Sequence, residues 1–226
     1  INSKKETHQL IYHHRSMHWV YLSHTIEEST PLYNNSGEVK IERINSILNG
    51  DSCNSSNLSM PAHTGTHIDA PYHFDQNGKT LDQYPPDFWF ALKPSMIEIT
   101  AKPGVLLTYQ DLQNHLKRVP IDSDILLIKT GAELWREDKN LDYLTKGVGI
   151  EVEVVDWIRQ NLKLKFLGFD FISLSSPLHR ETGRIAHRKL LSDHSSGTNP
   201  VLIIEDMSLK NIKTAPKKIL LIPIRF

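Results

Sequence analysis

Short apolar runs rich in branched side chains recur along the chain: Met96-Ile97-Glu98-Ile99, Ile125-Leu126-Leu127-Ile128, Phe166-Leu167-Gly168-Phe169, Val201-Leu202-Ile203-Ile204 and Ile219-Leu220-Leu221-Ile222. Runs of this kind, with almost no polar face, predict strands buried on both sides or nearly so. Between them the spacing changes. Thr108 and Asp111 have the form of a capping box, and Leu112 and Leu116 follow on one helical face, so a helix is predicted up to Val119-Pro120. From Glu151 the apolar residues Val152, Val155, Ile158 and Leu162 recur at helical spacing, while Glu151, Glu153, Arg159 and Gln160 take the other side. That pattern predicts a second helix. Helices alternating with buried strands indicate an α/β layer. Residues 19–60, broken by Pro31, Asn34-Asn35 and Asn49-Gly50-Asp51, predict short strands and loops instead.

The chain has 226 residues, with no repeat, heptad run or linker-like stretch. At about 150 residues per domain this favours one large domain, assigned to residues 17–226. Its 26 Lys and Arg balance its 26 Asp and Glu, so it lacks the basic excess that neutralises a row of phosphates. No nucleic-acid partner is expected. The apolar runs fall far short of the roughly 20 residues that span a bilayer, so no membrane partner is expected either. A single cysteine, Cys53, excludes an internal disulfide and a thiolate-rich zinc module. Any metal must therefore be held by His and carboxylate. Residues 1–16 are polar and carry His8, His13 and His14 without the apolar stretch of a signal peptide. They read as a tag or disordered N-terminal extension, with Met17 as the natural start and a cytoplasmic setting as the expectation.

The stretch His63-Thr64-Gly65-Thr66-His67-Ile68-Asp69-Ala70-Pro71-Tyr72-His73-Phe74 concentrates three imidazoles and a carboxylate. A helix is opposed by Gly65, by branched Thr64, Thr66 and Ile68, and by Pro61 and Pro71 on either side. An extended strand puts positions 63, 67, 69 and 73 on one face. Yet four strand residues span about 13 Å, whereas ligands of one ion each lie about 2 Å from it. The backbone must therefore bend between His63 and His67, and Gly65 is the residue that permits a kink. Imidazole and carboxylate suit zinc, manganese or iron, and Asp69 has two oxygens with which to bridge two ions.

This dodecapeptide closely resembles the signature of the cyclase family of metal-dependent hydrolases, which includes bacterial kynurenine formamidase and isatin hydrolase. Tyr21-Leu22-Ser23-His24-Thr25-Ile26 with Pro31, Leu127-Ile128-Lys129-Thr130-Gly131, and Gly168-Phe169-Asp170-Phe171-Ile172-Ser173 resemble further family segments. The resemblance implies a compact single α/β domain of the swivelling β/β/α type, with a central mixed sheet and flanking helices, assembled as a homodimer. It implies that His63, His67 and Asp69 hold a first metal, with Asp69 as the bridge where two ions bind, and that His73 is the catalytic histidine. The segments His187-Arg188-Lys189-Leu190-Leu191 and Val201-Leu202-Ile203-Ile204-Glu205 match later family segments, making His187 and Glu205 candidate ligands. Residues 192–200 look longer than the usual connection, and His194 there competes with His187 for the later histidine position.

Outside the resemblance, His187 sits in a basic run with Arg184, Arg188 and Lys189 that reads as a solvated face. Glu205 closes an apolar strand at the end where α/β crevices open. Asp206, of opposite strand parity, is expected to be exposed. Asp170 is expected to tie down a turn and is left out of the site. Phe88, Trp89 and Phe90 offer a pocket wall for an aromatic substrate, although large aromatics more often belong to the core. The expected activity is metal-dependent hydrolysis of a carbon–nitrogen bond in a small molecule. The leading substrate is an aryl formamide, N-formylkynurenine, with zinc or, second, manganese as cofactor in one or two ions. The alternatives are a cyclic amide or lactone hydrolase, and a non-catalytic metal- or small-ligand-binding protein.

Overall fold

The computed structural model describes residues 18–138, 141–192 and 199–225. In chain order its strands are β1 (Lys40–Asn45), β2 (Ser55–Ser59), β3 (His67–Asp69), β4 (Phe90–Ala91), β5 (Pro94–Glu98), β6 (Leu106–Leu107), β7 (Ile125–Lys129), β8 (Gly149–Ile150), β9 (Phe166–Phe169), β10 (Leu202–Glu205) and β11 (Ile219–Leu220). The α-helices are α1 (Tyr109–Leu116), α2 (Glu133–Glu137), α3 (Leu141–Thr145), α4 (Val152–Asn161) and α5 (Arg180–Leu191).

A five-stranded sheet in the order β3-β10-β9-β7-β5 organises the molecule. Its last four strands are mutually parallel and β3 runs antiparallel along β10. The apolar runs predicted as buried strands become β5, β7, β9 and β10, and their side chains alternate between two cores. Leu126, Ile128, Leu167, Phe169 and Ile203 face the larger core, which α1, α4 and α5 close with Leu112, Leu116, Val155, Ile158, Ala186 and Leu190. Ile125, Leu127, Phe166, Leu202 and Ile204 face a smaller core with Trp89, Met207 and Ile219. Each such aliphatic contributes about 1.5–3 kcal/mol by leaving water, so the sheet is a rigid platform.

The predicted capping box at α1 is present, with the Asp111 amide donating to Thr108 Oγ1 and the Thr108 amide to the Asp111 carboxylate. Helix α4 forms as predicted, burying Val154, Val155 and Ile158, with Val152 only half-buried. Two expectations change. Residues 219–222 are not a central buried strand: only Ile219 and Leu220 pair, antiparallel to β4, and Ile222 is exposed. Edge strand β5 leaves Glu98 exposed. Helix α5 was not foreseen from apolar spacing. No helix among the described residues is long and apolar enough to cross a membrane.

Candidate active site

The site is assembled by register. Strand β3 pairs with β10 so that Asp69 lies opposite Ile203 and His67 opposite Glu205. Ile203 points into the larger core, so the alternate residue Glu205 and its cross-strand neighbours face the same side, where α5 delivers His187. His63 comes back to this cluster because Gly65 adopts φ +60°, the bend its sequence position demanded. A Cβ there would also stand 2.7 Å from Ile26 Cδ1. A 3-10 turn, Pro71–His73, then carries His73 beside His63, with ring centroids 4.0 Å apart.

Two groups of donors result, and Asp69 belongs to both. His63 Nδ1 lies 2.9 Å from Asp69 Oδ1 and 3.0 Å from His67 Nε2, while His67 Nε2 is 3.3 Å from the same carboxylate oxygen. On the other side His187 Nε2 stands 3.5 Å from Asp69 Oδ2 and 3.3 Å from Glu205 Oε1. Within each group the candidate ligand atoms lie within 4.8 Å of one another. Asp69 is buried, yet neither of its oxygens has an aligned hydrogen bond. A buried carboxylate without such a partner costs several kcal/mol, which a cation between the groups would offset. The donor set fits a divalent ion.

The histidines are oriented for this. His67 Nδ1 is 2.9 Å from the Gly65 carbonyl and His187 Nδ1 is 2.8 Å from the Gly183 carbonyl. A carbonyl only accepts, so each Nδ1 carries the proton and Nε2 turns toward the carboxylates. Burial opposes a charge on His67, but the close approach of the Asp69 carboxylate and the charge of Glu205 outweigh it and raise its pKa to about 9. His187 follows the same balance, with Asp69 and Glu205 overcoming burial to reach about 10. For Asp69, burial pushes upward, and the facing His187, His63 and His67 hold it well below the usual carboxylate range. Glu205 is further fixed by the Leu174 amide, which donates to Oε1 at 2.7 Å. His73 is lowered from its ordinary value by burial, against the raising effect of Asp69.

His63, His67, His73, His187 and Glu205 line a cavity of about 390 Å³, together with Tyr33, Phe74, Ile172, Arg180 and Arg184. The family profile described as "Putative cyclase" matches residues 20–176. The chain belongs to the cyclase family. Among curated relatives it resembles "Cyclase-like protein 1" of Oryza sativa subsp. japonica, at 25% identity over 190 residues, covering 80% of this chain and 62% of that protein. It therefore spans less than two thirds of that relative's length. Among solved structures it resembles an isatin hydrolase bound to the product analogue thioisatinate, with TM-score 0.69, 18% identity and coverage of 88% and 82% of the two chains. It also resembles isatin hydrolase A of Labrenzia aggregata bound to benzyl benzoate, with TM-score 0.70, 21% identity and coverage of 87% and 83%.

In this cyclase-family chain His63, His67, His73, His187 and Glu205 thus converge on one cavity, with Asp69 buried behind its wall and shared by both donor groups. The family profile ends before His187 and Glu205, so these two rest on the resemblance of their own segments and on the geometry. His187 is buried, not on a solvated face, because α5 turns its Gly183–Ala186–His187 side inward. His194 lies outside the described residues, as do residues 1–17. Asp206 is a correction: it is buried, because φ +52° turns the backbone where a straight strand would have exposed it. Its carboxylate takes Arg136 Nε at 2.9 Å and the Tyr143 hydroxyl. Parity assumes an unbroken strand, and sequence carried no signal of the turn. Asp170 does tie a turn, accepting from the Thr130 and Gly131 amides at 2.8 Å each. Phe88 and Trp89 pack in the smaller core, and Phe74, stacked on His187 at 4.9 Å, walls the cavity instead.

Proposed function

We propose that the chain is a metal-dependent amidohydrolase that cleaves a carbon–nitrogen bond in a small molecule, with N-formylkynurenine hydrolysed to kynurenine and formate as the leading reaction. The observation that carries this is Asp69, buried, its two oxygens turned to two histidine-containing groups and lacking aligned hydrogen bonds. His63, His67 and Asp69 would hold one ion, and Asp69, His187 and Glu205 a second, with zinc the leading choice and manganese the next. A divalent ion supplies Lewis acidity, polarising a carbonyl and making water acidic enough to attack near neutral pH.

The chain's own residues do the rest. His73 stands in the cavity wall outside both groups, and its lowered pKa leaves it neutral near pH 7. It accepts the proton of the attacking water as the carbon–oxygen bond forms, and returns it to nitrogen as the carbon–nitrogen bond breaks. Phe74 and Ile172 provide the apolar wall for an aryl ring. The likeness to isatin hydrolases favours a cyclic amide as the second reading, by the same chemistry.

Elemental analysis of protein purified without a metal-affinity tag, paired with hydrolysis of N-formylkynurenine and isatin before and after chelation, tests the reading. Near-stoichiometric metal with chelator-sensitive turnover of either compound is expected. Metal without turnover of either would overturn the amidohydrolase, leaving a metal- or ligand-binding protein.

A further inference from the structure

The cavity has two ends of different chemistry. At the inner end stand His187 and Glu205, buried, with half-buried His67; at the mouth stand half-buried Tyr33 and exposed Asn34, Arg180 and Arg184. Arg180, Arg184 and His187 fall four and three residues apart on α5, hence on one face of the helix. At 1.5 Å rise per residue, Arg180 lies about 10 Å along the axis from His187. One helix face therefore runs from the donor cluster to a pair of guanidiniums.

Among the described residues of the lining, no carboxylate neutralises that pair from within. The cavity's carboxylates are Glu205, engaged by His187 and the Leu174 amide, and Asp206, engaged by Arg136 and Tyr143. Arg184 Nη1 stands 3.6 Å from Glu181 one turn away, but both side chains are well exposed, and such a pair is worth little. Burial raises the Tyr33 phenol above its ordinary value, against the pull of nearby Arg180 and Arg184. It stays protonated. The rim also holds Asn34, a non-glycine residue in the left-handed region at φ +54°, the kind of outlier that collects at ligand-binding loops. Planar guanidiniums match a carboxylate in a way that a point charge does not.

We infer that Arg180 and Arg184 form an anion-binding subsite at the cavity mouth, and that it selects substrates bearing a carboxylate several bonds from the hydrolysed amide. The subsite rests on the hydrolase reading above and sharpens it: the apolar middle of the cavity takes the ring, the inner end the scissile bond and the mouth the negative charge.

The test compares N-formylkynurenine with formanilide, an aryl formamide without a carboxylate, on metal-loaded wild type, Arg180→Gln, Arg184→Gln and the double variant. Each single variant should lose about 10- to 100-fold in kcat/KM toward N-formylkynurenine, the range for a charge-assisted hydrogen bond, mainly through KM. Formanilide kinetics should stay within about twofold of wild type, since it makes no such bond. Equal losses on both compounds would assign the arginines a structural role and overturn the subsite, as would no loss on either. Calorimetric titration with 4-phenylbutyrate and 4-phenylbutanamide separates this inference from the hydrolase reading. Wild type should prefer the carboxylate and the double variant should not, whether or not either formamide is hydrolysed. A preference unchanged in the double variant would overturn the subsite while leaving hydrolysis intact.

Discussion

On His67 and His187 the Nδ1 proton is committed to a backbone carbonyl, which leaves both Nε2 atoms directed at Asp69. Asp69 is thus the residue on which both groups depend. Asp69→Asn should lower metal content at both positions together and abolish the rise in melting temperature on metal addition. For wild type that rise reflects a stabilisation of about 4 kcal/mol at a thousandfold excess over Kd. Thermal melts with and without chelator check it. His73→Ala is expected to behave oppositely, keeping full metal content while turnover falls by about 100-fold or more, as for loss of a general acid–base group. Paired elemental analysis and kinetics would expose a His73 that is merely another ligand. The local part of this arrangement was legible: shared parity of His63, His67 and Asp69, with Gly65 as the bend, follows from residue chemistry alone. Asp206 was not, because its left-handed φ breaks the periodicity by which burial is read.

At the scale of elements, α5 shows why part of the fold was hidden. Its buried side is Gly183, Ala186, His187, Leu190 and Leu191, so the first two inward turns present small or polar residues, and hydrophobic spacing has little to detect. The approach here is close: a Cβ on Gly183 would run into Ser175 Cβ and stand 2.5 Å from its Cα. Gly183→Ala gains up to about 1 kcal/mol of helix propensity, and overpacking costs about 1–3 kcal/mol. Backbone cannot move aside as a side-chain tip can, so a net loss of stability is expected. With α5 displaced, His187 should lose its approach to Asp69 while His63 and His67 keep theirs. Metal titration would then show one ion retained and the other weakened; two unchanged affinities would refute the dependence. Residues 219–222 misled in the opposite sense, since their apolar density suggested a core strand, whereas only Ile219 and Leu220 find a partner, at the periphery.

For the whole molecule, stability and site share a buried polar junction. His24 donates its amide to Thr66 Oγ1 at 3.0 Å, while its Nε2 lies 3.8 Å from Glu133 and 3.9 Å from Asp206, without an aligned hydrogen bond. The N-terminal segment, the metal loop, α2 and the turn after β10 meet there. Burial lowers the His24 pKa, the charge of Asp206 raises it and that of Arg136 lowers it again, with a net fall below the ordinary 6.5. Below pH 6.5 the unfolded chain then takes up this proton more readily than the folded one, so stability falls as pH drops from there through the folded value. Urea unfolding at pH 7.5 and 5.5 should show a steeper loss for wild type than for His24→Asn; parallel losses would remove His24 from the junction. Such a junction joins residues far apart in sequence, which no local pattern announces.

Strand β3 is three residues long, forms the rim of the sheet and, among the described residues, pairs with β10 alone. A cation gripping Asp69 from one strand and Glu205 from the other, together with His187, would act as a clasp over that seam. Once the clasp is removed, so short a ladder is a weak guard for the otherwise unpaired edge of β10, and open strand edges recruit other chains. Chelated protein would on this account precipitate through edge-to-edge association before its helices melt, and the metal would serve shelf life as well as chemistry.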